Sequence, residues 1–176
     1  MYIWVGINVD SQLSDVGERV REIEEKLGLR NFCYTLPMHI SLKISFPVEN
    51  GISGEIVCAL RELFGNQKPF EIETAGTELL GNIAWVRMRA SERLISLSSE
   101  LNSMLLSRYG IPLHEYDTDY KFHSTLFMGN ECEVREEFSM LGNISIPAKL
   151  VANRFVIGTS DTGGLGTYSV LEEITV

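Results

Sequence analysis

Two stretches of this chain, HISL at residues 39–42 and HSTL at residues 123–126, share the pattern His-x-Ser/Thr-Leu. Apolar and polar residues alternate through both stretches, which is typical of a β-strand with one face in a core. Because successive side chains of a strand point to opposite faces, His39 and Ser41 share one face, as do His123 and Thr125. The sequence therefore predicts two strands that each present an imidazole and a hydroxyl on one side.

The alternation extends these two faces, which we call the histidine faces. It adds Lys43 to the first face, and Lys121 and Phe127 to the second. The opposite faces are expected to enter the core, and they carry Met38, Ile40, Leu42 and Ile44 in the first strand and Phe122, Ser124, Leu126 and Met128 in the second. Each histidine face thus combines a histidine, a hydroxyl and a lysine.

The two strands belong to an internal repeat. Apolar residues at alternating steps of three and four predict amphipathic helices over 12–27 and 92–108. Asp10 or Ser11 is the predicted N-cap of the first helix, and Ser91 is that of the second. An offset of 81 residues superimposes the two apolar faces, which are Leu13, Val16, Val20 and Ile23 in the first helix and Leu94, Leu97, Leu101 and Met104 in the second.

The repeat continues on both sides of these helices. The same offset places the strand candidate 2–8 on 83–89, and the two histidines are 84 positions apart (123 − 39). A further helical pattern follows each histidine strand. Two strand candidates are then expected to close each half, 69–75 with 83–89 in the first half and 146–158 with 166–174 in the second.

This pattern predicts an α+β fold in a single domain, residues 1–176, made of two pseudo-symmetric lobes with an offset of about 81 residues. Short connections favour antiparallel neighbours, so each lobe is expected to hold an antiparallel-rich sheet with helices on its outer face. Pseudo-twofold symmetry would bring the two histidine strands face to face across a central cleft.

Composition and charge narrow the range of partners. The chain of 176 residues has a formal net charge of −9 and no Lys/Arg cluster that would displace counterions from long nucleic acid. A local positive pocket is still sufficient for one phosphate. The negative net charge and the absence of a Lys/Arg cluster favour a small nucleotide or an RNA end over extended RNA as the partner.

Other features of the sequence bear on location. No apolar run approaches the roughly 20 residues of a membrane-spanning helix, and MYIWVGINVD at the N-terminus is expected to be a first strand rather than a signal peptide. Cys33, Cys58 and Cys132 are odd in number and widely spaced, which disfavours a disulfide framework. We expect a cytoplasmic protein without membrane contact, and a monomer.

Two imidazoles on either side of one phosphate are suited to moving protons. Opening a cyclic phosphate with water needs a base for the water and an acid for the departing ribose oxygen, and an imidazole can be either. The hydroxyls of Ser41 and Thr125 would donate to the non-bridging oxygens as charge develops there. Lys43 and Lys121 would add positive charge. The pattern does not say which histidine is the base.

HISL and HSTL, about 80 residues apart in a chain of this size, resemble the paired motifs of the 2H phosphoesterase superfamily, and within it the LigT-like group of 2′-5′ RNA ligases and RNA 2′,3′-cyclic phosphodiesterases. The resemblance implies a duplicated bilobal LigT-like fold and a reaction without a metal or another cofactor. It assigns His39 and His123 as the catalytic pair, with Ser41 and Thr125 as phosphate donors. The implied substrate is a small cyclic nucleotide or an RNA end with a 2′,3′-cyclic phosphate, and 2′-5′ RNA ligation would be the reverse reaction.

The chain departs from the family pattern in its second half. Ser124 is more polar than the residue that this position of the motif usually has, and Phe127-Met128-Gly129 follows where RNA-processing members often have a basic residue. These departures favour phosphodiesterase chemistry over RNA-end chemistry. Tyr34, Tyr116 and Phe127 are candidates for the lining of a nucleotide site.

Other interpretations remain open. A non-catalytic module could bind a nucleotide or an RNA end in the same cleft, and a structural or partner-binding domain could have kept the fold alone. His114 could join the other two histidines at a zinc site, although no ligand spacing supports one. The glycine-rich segment 158–168 resembles a phosphate loop but lacks its lysine, and a hairpin turn explains it better.

Overall fold

Eight strands and four helices follow one another in the described part of the computed structural model, which comprises residues 1–29, 36–49 and 51–176. The strands are β1 (Tyr2–Asn8), β2 (His39–Pro47), β3 (Phe70–Leu80), β4 (Ile83–Met88), β5 (His123–Met128), β6 (Lys149–Ala152), β7 (Arg154–Ser160) and β8 (Ser169–Thr175). The helices are α1 (Ser14–Leu27), α2 (Ser53–Gly65), α3 (Glu92–Tyr109) and α4 (Glu131–Leu141). The predicted histidine strands are β2 and β5.

Within these described residues, the strands form two antiparallel sheets, ordered β2-β1-β7-β8 and β5-β4-β3-β6. The histidine strands β2 and β5 are therefore edge strands, and they lie beside each other where the two sheets meet. β3 and β4 form a hairpin that pairs with β5, whereas β7 and β8 form a hairpin that pairs with β1. Each hairpin therefore lies in the sheet that contains the histidine strand of the other half. The expectation that each half closes its own sheet is wrong, because local alternation does not specify the neighbour of a strand.

The helix boundaries agree with the sequence patterns except at the start of α1. Ser91 caps α3, since its hydroxyl accepts from the Leu94 backbone N–H at 3.2 Å. Gly28 ends α1 in the left-handed conformation, with a φ of 67°. The predicted N-cap of α1 is wrong, because residues 10–12 form a turn of 3-10 helix and α1 begins only at Ser14.

One hydrophobic core joins the two sheets to the helices on their outer faces. α3 packs on β2, α4 on β4 and β5, and α2 on β7 and β8, while α1 packs against α4. The apolar faces predicted for α1 and α3 contribute to this core. The predicted α+β class, with two antiparallel sheets and outer helices, is confirmed. In the described ranges, no helix is both long and apolar enough to cross a bilayer.

The glycine-rich segment 158–168 is the predicted hairpin turn. β7 and β8 pair antiparallel on either side of it. Three residues of this segment, Leu165, Gly166 and Tyr168, line the cleft between the histidine strands.

A β-bulge interrupts β2 just after its histidine and hydroxyl. Ser41 pairs with Gly6, and Lys43 pairs with the next residue of β1, Val5. Two steps along β2 thus correspond to one step along β1, and Leu42 is the extra residue. Beyond such a bulge, each side chain points to the opposite face from the one that simple alternation predicts.

β5 has a bulge at the equivalent position. Thr125 pairs with Trp85, and Phe127 pairs with the preceding residue of β4, Ala84. Leu126 is the extra residue here, 84 positions after Leu42. The two histidine strands therefore share an irregularity as well as a motif.

The bulges explain where the predicted histidine faces fail. Lys43 and Phe127 turn into the core and are 1% and 0% exposed. Ile44 and Met128, which the alternation assigns to the core, turn toward the cleft instead. The predicted faces are correct up to each bulge and wrong after it.

Candidate functional site

The space between the two histidine strands is a cleft of about 810 Å³. His39 and Ser41 line one wall from β2, and His123 and Thr125 line the other wall from β5. All four residues are half-buried, so they remain open to a ligand. The two halves of the motif, separated by 84 residues along the chain, meet at one cavity.

Both histidine rings are held by the backbone of their own segments. His39 Nδ1 lies 2.7 Å from the Pro37 carbonyl oxygen, and His123 Nδ1 lies 2.6 Å from the Lys121 carbonyl oxygen. Because a carbonyl oxygen only accepts hydrogen bonds, Nδ1 carries the proton in each neutral ring, and Nε2 keeps the lone pair. Nε2 is therefore the nitrogen that can exchange a proton with a ligand on each wall.

A tryptophan packs on each histidine ring. The ring centroids of Trp4 and His39 are 4.2 Å apart, and those of Trp85 and His123 are 4.3 Å apart. These are the two tryptophans of the chain, and they lie 81 positions apart (85 − 4), which is the offset of the repeat. Neither was singled out from the sequence, although this spacing would have found them.

Trp4 also orients the hydroxyl on its wall. Its Nε1–H donates to Ser41 Oγ at 2.9 Å, so a lone pair of the hydroxyl is occupied and its proton can point toward a ligand. The Trp85 Nε1–H instead donates to Glu78 Oε2 at 3.2 Å. Gly6 makes room for the Trp4 indole, since a Cβ at this position would lie 2.7 Å from it. The two walls have the same components but hold them differently.

Tyr120 is a further polar group of the cleft that the motifs did not indicate. Its ring lies nearly parallel to that of His123, with centroids 6.4 Å apart and an interplanar angle of 19°. Burial raises the pKa of the phenol to about 12; the Ser41 hydroxyl opposes this rise, and the charge of Asp117 adds to it. Tyr120 is therefore a neutral phenol, able to donate a hydrogen bond, throughout the physiological pH range.

The environment of the cleft disfavours charge on both imidazoles. Burial lowers the pKa of His39 to about 4; the hydrogen bond to Pro37 opposes this effect, and the charge of His123 adds to it. Burial also lowers the pKa of His123 from 6.5, against the hydrogen bond to Lys121. Because charge on one ring disfavours charge on the other, the pair binds a second proton less readily than the first.

The other predicted site residues have different locations. Lys121 and Tyr116 line the cleft, and both are exposed. Lys43 forms a buried ion pair, and Phe127 lies in the core. The predictions that Lys43 and Phe127 face the cleft are wrong, because the bulges turn them inward. Tyr34 lies outside the described residues.

Charges of both signs line the cleft. The basic side chains of the lining are Arg21 and Lys121, and the acidic ones are Asp10, Glu115 and Asp119. Among the described lining residues, acidic groups thus outnumber basic ones. This balance suits a ligand with a single negative charge better than a polyanion.

The third histidine is separate from this cleft. His114 is exposed in the loop between α3 and β5, where its Nδ1 accepts from the Tyr116 backbone N–H at 3.3 Å. Within residues 1–29, 36–49 and 51–176, no group of three or more His, Cys, Asp or Glu side chains is placed to hold a metal ion. The three described histidines therefore do not form the zinc site considered above.

Comparison with protein families gives one match that covers most of the chain. The family model described as the 2′-5′ RNA ligase superfamily matches residues 11–163. This match confirms the resemblance drawn from the two histidine motifs. No curated protein matches the chain in sequence.

Several solved structures share the fold. TT0787 of Thermus thermophilus is 16% identical, with a TM-score of 0.69 over 99% of this chain and 97% of that protein. E. coli LigT complexed with 3′-AMP is 18% identical, with a TM-score of 0.57 over 99% of this chain and 96% of LigT. LigT complexed with NADP⁺ gives 20% identity and the same TM-score of 0.57, over 99% of this chain and 96% of LigT. At these identities the likeness establishes the fold alone.

Proposed function

The chain belongs to the 2′-5′ RNA ligase superfamily, and we propose that it is a metal-independent phosphodiesterase that opens a 2′,3′-cyclic phosphate or a related small cyclic phosphodiester. One observation carries the proposal. Two imidazoles, each held through Nδ1 by a backbone carbonyl, line the two walls of one cleft with Nε2 available. Such a pair supplies the acid and the base that phosphodiester hydrolysis requires.

In the proposed reaction His39 is the base and His123 is the acid. His39 Nε2 takes a proton from a water molecule as the water oxygen bonds to phosphorus. The bond from phosphorus to one ribose oxygen breaks, and His123 Nε2 gives its proton to that oxygen. The products are a phosphomonoester and a free ribose hydroxyl. We make this assignment because burial and the charge of His123 both lower the pKa of His39, which favours a neutral His39 as the base beside a protonated His123.

The other polar groups of the cleft stabilise charge on phosphorus oxygens. Ser41 and Thr125 donate from the two walls to the non-bridging oxygens, where negative charge grows as the water attacks. Lys121, at the exposed end of the β5 wall, adds a positive charge. These roles require hydroxyl groups that are oriented before the substrate binds. The hydrogen bond from Trp4 to Ser41 orients the hydroxyl on the β2 wall.

The proposed substrate is a cyclic mononucleotide. Tyr116 is an exposed aromatic residue of the lining on which a base can stack. The E. coli LigT complexes with 3′-AMP and NADP⁺ place nucleotides on a protein of similar fold, which supports this size of ligand. An RNA end with a 2′,3′-cyclic phosphate is the larger alternative. In 2′-5′ ligation, a ribose hydroxyl would take the place of water as the group that bonds to phosphorus and opens the cyclic phosphate.

A substrate panel tests the proposal. The panel comprises the four 2′,3′-cyclic mononucleotides, an RNA with a cyclic-phosphate end, and ADP-ribose cyclic phosphate. We expect turnover of at least one member, with the same rate in excess EDTA. Tight binding of these compounds without turnover of any of them would contradict the proposal and favour a non-catalytic binding module.

The pH dependence of kcat/KM is expected to peak on the acid side of neutrality. The base must be neutral, so kcat/KM falls below the His39 pKa of about 4. The acid must carry its proton, so kcat/KM also falls above the His123 pKa, which lies below 6.5. A phosphodiester keeps one negative charge across this pH range, so both limbs of the kcat/KM profile report pKa values of the free enzyme.

The pH profile of kcat is expected to be shifted to higher pH than that of kcat/KM, because a bound anion favours the charged imidazoles and raises their pKa values. Rate measurements from pH 3.5 to 8.5 at low and at saturating substrate separate the two profiles. A kcat/KM that rises steadily to pH 8 would contradict a reaction that needs one protonated and one neutral imidazole.

A further inference from the structure

We propose that the buried ion pair between Lys43 and Asp117 positions the β5 wall of the cleft relative to the β2 wall, an inference that rests on the function proposed above. Lys43 belongs to β2, the strand of the first wall. Asp117 belongs to the loop between α3 and β5, which supplies Tyr116, Tyr120 and Lys121 to the cleft. The pair thus joins a strand of one sheet to the loop that leads into the other.

The ammonium group of Lys43 has an acceptor for each of its three protons. Nζ lies 2.6 Å from Asp117 Oδ2, 2.7 Å from Asn102 Oδ1 and 3.3 Å from the Pro112 carbonyl oxygen. The side chains of Lys43 and Asp117 are 2% and 0% exposed. Asp117 Oδ2 also accepts from the His114 backbone N–H at 2.8 Å. One carboxylate therefore attaches two points of the loop to β2.

The end of this loop determines the direction of the second catalytic ring. The Lys121 carbonyl oxygen receives the His123 Nδ1–H and so sets where Nε2 points. Tyr120 lies along the face of the same ring. A loop displaced from β2 would move this carbonyl and this phenol together, and would shift His123 Nε2 relative to His39.

The pair breaks the symmetry of the two histidine strands. The residue of β5 that corresponds to Lys43 is Phe127 (43 + 84), which follows the equivalent bulge and packs in the core. An apolar side chain thus satisfies this position in one strand. Packing alone does not require a lysine in the other.

Stability does not explain the ion pair either. The desolvation of two buried charges generally offsets most of their attraction. Asp117 Oδ1 is also buried and, among the described residues, has no hydrogen-bond partner, which is a further unfavourable contribution. What the pair provides is direction, because charge-assisted hydrogen bonds fix geometry more closely than apolar contacts do.

The test is the double variant Lys43→Met/Asp117→Asn. It removes both charges together, keeps similar side-chain sizes and retains an oxygen for the His114 N–H. We expect a folded protein whose kcat falls at least tenfold with a smaller change in KM, because a displaced catalytic group weakens the transition state more than binding. Asp117→Asn alone leaves Lys43 its other two acceptors and should also lower kcat. This single variant is the test if the double variant does not fold.

Lys149→Met/Glu71→Gln is the matched control. It removes an ion pair of the same 2.6 Å length whose side chains are 56% and 63% exposed. This control should leave kcat unchanged.

NMR of the three histidines gives a readout that needs no substrate. The ring ¹⁵N signals of His123 should lose the Nδ1–H pattern in the double variant, while those of His39 keep it. A double variant with the kcat of the wild type and unchanged His123 signals would overturn the inference. If the wild type turns over no cyclic phosphate, the proposed function fails, and the His123 signals alone then decide whether the pair positions the ring.

Discussion

His39→Ala and His123→Ala are each expected to lower kcat by about 10²- to 10⁴-fold. Each substitution removes one of the two proton transfers of the proposed reaction, and the backbone carbonyl that held the ring cannot replace it. Nucleotide binding should change much less, because the hydroxyls and the aromatic lining remain. Both tryptophans of the chain line the cleft, so quenching of their fluorescence measures binding independently of turnover.

His114→Ala is the matched control for these variants, since it makes the same substitution at an exposed loop position. It should retain the kcat of the wild type. The double variant His39→Ala/His123→Ala should lose little more than either single variant, because groups that act in one step are not additive. Wild-type kcat in either single variant would remove that ring from the mechanism.

Ser41→Ala and Thr125→Ala are each expected to lower kcat by about 10²- to 10³-fold, the usual loss when one donor to a developing oxyanion is removed. In the proposed reaction, the hydroxyls donate most strongly to the non-bridging oxygens in the transition state, so KM should change less than kcat. Ser41→Ala also leaves the Trp4 Nε1–H without its acceptor. We therefore expect a larger loss from Ser41→Ala than from Thr125→Ala.

The conservative exchanges Ser41→Thr and Thr125→Ser control for packing, because each keeps a hydroxyl. Both should retain most of the activity of the wild type. Steady-state kinetics on the best substrate of the panel decides between the outcomes. Alanine variants with unchanged kcat would show that the hydroxyls do not stabilise the transition state.

The sequence allowed the two histidine strands and the hydroxyl beside each histidine to be predicted, because alternation of apolar and polar residues is a local property. The prediction failed at Lys43 and Phe127. A bulge depends on how a strand pairs with its neighbour, and alternation within one strand does not record that pairing. The exchange of the later strands between sheets was missed for the same reason.

Features of the site that depend on the detailed backbone path were also beyond the motifs. The contact of Tyr120 with the His123 ring depends on the path of the loop before β5, and the Nδ1 hydrogen bonds depend on the backbone conformation at Pro37 and Lys121. The tryptophan pair is different. Trp4 and Trp85 share the offset of the repeat, so a comparison of the two halves for every residue type would have predicted that they occupy equivalent positions.

The two bulges have a consequence for the cleft as a whole. β2 and β5 are neighbouring edge strands, and edge strands present backbone groups that readily pair with another strand. Two regular edge strands side by side could pair into one continuous sheet, which would leave no room for a substrate. An extra residue at the same height in both edges disrupts the spacing that such a ladder needs. We therefore expect the irregularity that defeats simple alternation also to disfavour pairing between the two sheets.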